Sequence, residues 1–202
     1  MAFASRPSSS RSASRGGGRG GREAVPEADA PPADPVDVAR QICLHQLEHA
    51  PRTRAELAAT LRRKGIDDDV AEQVLSRFAE VGMIDDALFA QLWVTSRHRG
   101  KGLAGRALSQ ELRRKGVADE TAAEAVATID RDQELATARE LVDRKLRSTA
   151  GLATDARVRR LAGMLARKGY PAGTAFRVVR EALAAEGEEA ELAFDDLQAL
   201  EE

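Results

Sequence analysis

One phrase occurs three times along this chain. Leu57-x-x-x-Leu61-Arg62-Arg63-Lys64-Gly65 returns as Leu108-x-x-x-Leu112-Arg113-Arg114-Lys115-Gly116 and, with one change, as Leu161-x-x-x-Leu165-Ala166-Arg167-Lys168-Gly169. The three glycines are 51 and then 53 residues apart. Self-similarity at a period of this size marks stacked supersecondary units that bury their apolar faces against one another. It also speaks against an enzyme, because an active site usually interrupts a repeat and this one is barely interrupted.

The spacing of apolar residues sets what each unit is. Aromatic residues make up only 3% of the chain, and Ala and Leu supply most of the apolar surface. These suit closely packed helices and suit strands poorly. In the first unit Val38, Ile42, Leu44 and Leu47 mark a helix that breaks at Ala50-Pro51. Thr53-Arg54-Ala55-Glu56 is a capping box opening a second helix that runs to Lys64 and stops at Gly65. Asp67 opens a third, carrying Val70, Val74, Leu75 and Phe78 before Gly82. The second unit starts a helix at Asp85 or Asp86, passes through a loop at 97–102, and opens its third helix at Asp119. The third unit places helices near 132–147, 155–168 and 172–185. The expected fold is all-α: three tandem three-helix, helix-turn-helix-like repeats over 36–83, 84–130 and 131–185. They are expected to form an elongated, curved rod.

The terminal segments differ from this middle. Residues 1–35 are rich in Ser, Arg, Gly and Pro and hold too little apolar surface to order themselves, so a disordered arm is expected. Its Gly16–Arg22 run also fits an RNA-binding Gly/Arg segment, and its acid-free start fits a transit peptide. Residues 186–202 form an acidic tail with eight acids and no base. The net charge of −2 therefore hides a basic middle, with 26 basic and 21 acidic residues over 36–185. A modest basic bias permits a nucleic-acid or nucleoprotein partner without requiring one. Cys43 is the only cysteine, which excludes an internal disulfide and fits a reducing, cytoplasmic setting. No apolar stretch approaches membrane-spanning length.

The phrase has a structural reading and a functional one. Arg-Arg-Lys-Gly is a good helix stop, with cations complementing the helix dipole and Gly entering the left-handed region. Equally spaced basic clusters also suit a periodic partner such as a nucleic-acid backbone or a filament. Base reading by a helix-turn-helix is disfavoured, because Asp67, Asp68, Asp69 and Glu72, and again Asp119, Glu120 and Glu124, occupy the recognition positions. The loop Arg97-His98-Arg99-Gly100-Lys101-Gly102, followed by Arg106, is where the repeat breaks. It reads either as a solvated connector or as a mobile basic segment for phosphate or an acidic surface. Phe89 and Trp93 share a helical face and read as core. No phosphate loop or nucleophile elbow is present. His45 and His49, four apart, could bridge a metal, but no carboxylate is placed like a zincin base, so neither metal nor cofactor is expected.

Several segments together resemble one known family. Gly82-Met83-Ile84-Asp85-Asp86-Ala87-Leu88-Phe89-Ala90, then Val94-x-Ser96-Arg97, Gly102 and Glu111-Leu112-Arg113-Arg114-Lys115-Gly116-Val117 resemble the central signature of the RecX family. Arg54-Ala55-Glu56-Leu57 leading to Lys64-Gly65 resembles its first module, and Leu165-x-Arg167-Lys168-Gly169-Tyr170 its third. Two positions depart from the pattern: Trp93 stands where Tyr is expected, and Leu103 where Pro is usual, which implies a less rigid link after Gly102. The resemblance implies three tandem three-helix repeats and a regulator, normally an inhibitor, of the RecA recombinase. Such proteins lie in the groove of the RecA filament on single-stranded DNA. There they block its extension and interfere with ATP hydrolysis and strand exchange. On charge, the candidate contacts with filament or DNA are Arg97, Arg99, Lys101 and Arg106, then Arg62, Arg63, Arg113, Arg114 and Arg167. A monomer with weak direct DNA contact is expected. A RecA-independent, non-specific nucleic-acid binder is the alternative, and a pure helical scaffold a third reading.

Overall fold

The computed structural model describes residues 34–187; the arm at 1–33 and the acidic residues 188–202 fall outside that range. Among the described residues the chain forms nine α-helices, one 3-10 turn and no strand. The first module comprises α1 (Pro35–His49), α2 (Arg54–Arg63) and α3 (Asp68–Glu80). The second comprises α4 (Asp86–Lys101), α5 (Gly105–Arg114) and α6 (Asp119–Ala127). The third comprises α7 (Arg131–Leu146), α8 (Thr154–Arg167) and α9 (Ala172–Ala185), with the 3-10 turn at Arg147–Thr149.

Each module closes around its own small core. The first gathers Ala39, Cys43, Leu57, Leu61, Val74 and Phe78. The second gathers Phe89, Val94, Leu108, Leu112 and Ala122. The third is the largest and is built on Val142, Val158, Leu161, Leu165, Val178 and Leu183. The two leucines of every phrase are buried in these cores, which explains their four-residue spacing on one helical face.

The end of the phrase is a Schellman stop in all three copies. Gly65, Gly116 and Gly169 have φ of 77°, 76° and 91°. The amide after each glycine reaches back to the carbonyl of the second leucine: Ile66 to Leu61 at 3.1 Å, Val117 to Leu112 at 3.1 Å and Tyr170 to Leu165 at 3.2 Å. Each of these apolar residues packs in the same core as the leucine whose carbonyl it reaches. The capping box expected at Thr53 is present, with Thr53 Oγ1 accepting from Glu56 N–H at 3.1 Å and Glu56 Oε2 accepting from Thr53 N–H at 3.3 Å.

The second and third stops do a further job that the sequence reading did not assign. Each seats on the start of the middle helix of the module before it. Thr53 is fully buried, and its hydroxyl donates to the Lys115 carbonyl at 2.6 Å. One module later the Ala104 amide donates to the Lys168 carbonyl at 2.9 Å. An acid from the next module's first helix then caps the same helix start. Asp86 accepts from the Arg54 amide at 2.9 Å, and Glu134 accepts from the Gly105 amide at 2.8 Å. Of the two aspartates expected to open α4, Asp85 is its cap, accepting from Leu88 N–H at 2.8 Å. Two free helix-terminal amides are satisfied in this way. The joints are equivalent, so the array propagates by one rule.

Candidate functional site

The structure separates the candidate cations into two groups. The first correction concerns 97–102. This segment is not a loop: α4 stays helical to Lys101 and turns only at Gly102, with φ 62° and its amide bonded to the His98 carbonyl at 2.8 Å. A single glycine costs a helix interior about 1 kcal/mol, and tertiary fixation outweighs it here. His98, counted above among the basic loop side chains, is buried. Its Nδ1 lies 2.9 Å from the Leu103 carbonyl and its Nε2 lies 3.2 Å from Thr137 Oγ1 on α7. The link after Gly102 is tied as well, since the Tyr170 hydroxyl donates to the Gly102 carbonyl at 3.2 Å.

Arg97 is half-buried rather than free. Its guanidinium stacks on Trp93 at 4.1 Å from the ring centroid, and its Nε lies 3.4 Å from Glu111 Oε2. The same carboxylate accepts from Trp93 Nε1 at 2.8 Å. Lys115 lies 4.3 Å from the same ring and pairs with Glu56 at 2.7 Å. Trp93 packs against the second core in which Phe89 is buried, and its outer face is a platform for cations. Arg97 thus ties α4 to α5 within the second module.

The remaining candidates are exposed. Arg62 pairs with Asp68 at 3.6 Å and Arg113 with Asp119 at 3.0 Å, so the phrase's first arginine is matched by an acid opening the next helix. Arg63 donates to the Thr60 hydroxyl at 2.9 Å. Arg99, Lys101 and Arg114 point into solvent from the ends of α4 and α5. Arg106 lines a cleft of about 260 Å³ between α5 and the third module, together with Gln110, Arg167 and Tyr170.

The third module breaks this balance of charge. Residues 36–83 hold seven basic and eight acidic residues and residues 84–130 hold seven of each, whereas residues 131–185 hold 12 basic and six acidic. The basic excess of the folded middle therefore resides there. The position equivalent to Arg62 and Arg113 is Ala166, and α9 opens on Ala172-Gly173 with no acid in its first turn. The arginine–aspartate pair that closes the first two phrases therefore has no equivalent in the third. Arg167 also lines a second cleft of about 220 Å³ with Lys145, Ser148, Thr149, Arg160 and Met164. Among the described residues Lys145, Arg160 and Arg167 form no ion pair. Close by at the second joint, Lys168 is held below the ordinary lysine range, first by burial and then by the Arg144 and Lys101 charges.

Sequence reasoning missed Lys145 and Arg160. The signal was available in the count of charges per repeat and in the missing acids of the third helix. An arrangement of two guanidiniums and an ammonium around an open cleft suits oxyanions, phosphate above all.

Comparison with known proteins assigns all three modules. Residues 39–78, 85–126 and 132–179 match the first, second and third three-helix domains of RecX, in that order. The chain belongs to the RecX family. It is 59% identical over 165 residues to the Regulatory protein RecX of Streptomyces coelicolor, covering 82% of this chain and 88% of the relative. It is 56% identical over 169 residues to that of Thermobifida fusca, covering 84% and 91%. The crystal structure of RecX from Lactobacillus salivarius shares the fold at a TM-score of 0.68 and 18% identity, covering 74% of this chain and 97% of that one. The RecX family consists of regulatory proteins, and the tandem helical repeat read from the phrase is its architecture. No helix among the described residues is long and apolar enough to cross a membrane.

Proposed function

We propose that this RecX-family chain docks on RecA filaments assembled on single-stranded DNA. It limits their extension, and with it RecA's ATP hydrolysis and strand exchange. The observation that carries the reading is the match of all three modules, in order, to RecX domains. The protein acts by binding, as a monomer in the cytoplasm, and needs no cofactor. Within this reading the third module supplies the phosphodiester contacts through Lys145, Arg160 and Arg167, with Arg106 beside them. Arg99, Lys101, Arg63 and Arg114 face solvent for weaker contacts along the array, whereas Arg97 is held within the second module by Trp93 and Glu111. Several weak contacts on one rigid array raise the total avidity without any single tight one.

The test is RecA ATPase on single-stranded DNA with this protein well below one per RecA. Strong substoichiometric inhibition is expected; an unchanged rate at equimolar protein would overturn the reading. The charge excess of the third module also favours a second reading, non-specific nucleic-acid binding without RecA. Binding to naked and to RecA-coated strands separates the two. The filament reading predicts preference for the coated strand, and the second predicts equal or weaker binding to it.

A further inference from the structure

The last turn of α1 carries a feature that the regulatory reading does not use. His45, Glu48 and His49 are all exposed on one face, and one ligand atom from each lies within 4.8 Å of the others. The rings of His45 and His49 meet edge to face at 4.6 Å between centroids. Spacings of three and four residues place side chains one above another on a helix, so the juxtaposition is built into the backbone.

The hydrogen bonding prepares the ligands. His49 Nδ1 lies 2.7 Å from the His45 carbonyl. A carbonyl only accepts, so Nδ1 carries the proton and Nε2 is the nitrogen left to bind a metal. Fixing one ring nitrogen on a backbone carbonyl is the usual support of a metal-ligating histidine. Glu48 Oε2 lies 3.9 Å from His45 Nδ1 on the same side. Two imidazoles and one carboxylate form the donor set that zinc takes with its fourth position open. Zinc–ligand bonds of about 2.0–2.2 Å place donors roughly 3.4 Å apart, and rotation of exposed side chains closes that gap.

We propose that His45, Glu48 and His49 form a binding site for one zinc-class divalent cation. The site is N₂O in character, because the nearby Cys43 is buried in the core. A bound ion would join the last turn of α1 across three residues. That turn leads through Pro51 to Thr53, the hydroxyl that anchors the second module. The ion would therefore stiffen the approach to the first joint.

The experiment is calorimetric titration of zinc chloride into the full chain carrying no affinity tag. The expected result is saturable binding of one ion per chain, weakened at least about tenfold in both His45→Ala and His49→Ala. Glu48→Gln should weaken it to a smaller extent. Zinc should also slow amide exchange over residues 45–50. Absence of saturable binding, or binding retained by the double histidine variant, overturns the proposal. Since all three side chains are exposed, the variants should keep the parent melting temperature without zinc. This test does not depend on RecA, so its outcome is independent of the filament reading.

Discussion

Gly116 is seated on Ala55: a β-carbon built at Gly116 would stand 2.3 Å from the Ala55 β-carbon. Gly169 stands in the same relation to Ala107, whose amide nitrogen would be 2.5 Å away. At Gly65, the first copy, a β-carbon would meet nothing within 4 Å. The same residue in the same repeat therefore has two jobs in two places and one in the third.

Alanine at these three positions should separate the jobs. Gly65→Ala carries only the left-handed backbone penalty, about 1–2 kcal/mol. Gly116→Ala and Gly169→Ala add the overpacking of a joint, a further 1–3 kcal/mol or so. Urea denaturation of the three variants measures the difference; equal losses would show that the seats do not matter.

Arg97 should behave as a structural residue. Removing a cation from an aromatic face costs about 0.5–1 kcal/mol at exposed sites, so Arg97→Ala should destabilise modestly. Arg97→Glu should cost more, since it brings a carboxylate to Glu111, 3.4 Å from the present Arg97 Nε. The double variant Arg99→Glu/Lys101→Glu should stay within about 0.5 kcal/mol of the parent. Chemical melts decide this, and charge reversal of Arg97 is a poor probe of filament contact.

The salt dependence of binding should locate the phosphodiester contacts. For single strands the slope of log K on log salt is about 0.7 per neutralised phosphate. Lys145→Ala/Arg160→Ala/Arg167→Ala should lower that slope by about 2 in anisotropy titrations with labelled oligo(dT). Arg62→Ala should leave it nearly unchanged, because Arg62 is already matched by Asp68. A slope that responds equally to both variants would remove the third module from its special role.

Truncation should respect Glu186. This residue pairs with Arg157 at 2.6 Å, and Arg157 is 1% exposed, so a cut before it removes a carboxylate from a buried guanidinium. Ending the chain after Gly187 removes seven acids and keeps the pair. The shortened protein should associate faster with DNA and filaments at low salt. The gain should shrink as salt rises, because the tail acts at a distance and is screened. Stopped-flow association at two ionic strengths tests this, and a salt-independent gain would point to direct contact instead.

Tyr170 should make the second joint sensitive to alkali. Burial, then the Glu134 and Glu140 charges, push its phenol above the ordinary value of 10.0. Above pH 10 the unfolded chain loses this proton while the folded chain keeps it, so stability falls as pH rises. Tyr170→Phe should lose about 1 kcal/mol at neutral pH with its hydrogen bond to Gly102 and should flatten the decline above pH 10. Urea midpoints between pH 8 and 11 give the comparison.

The sequence by itself determined the module plan. Leucines four apart fixed one buried face per helix, Lys-Gly fixed the stop, and Thr53 with Glu56 fixed a start, because all of these act within a few residues of each other. The family signature was equally local. What only the tertiary structure decided involves pairs 29 to 62 residues apart. Thr53 meets Lys115, Asp86 caps Arg54, and Glu134 caps Gly105; no local rule states these partners. The basic segment 97–101 looked like a loop because glycines and cations suit loops. It is helix because His98 is buried between Leu103 and Thr137. Arg97, Arg99 and Arg167 are indistinguishable as letters. Only packing shows that Arg97 is occupied by Trp93 and Glu111, while Arg167 faces two clefts with no acid beside it.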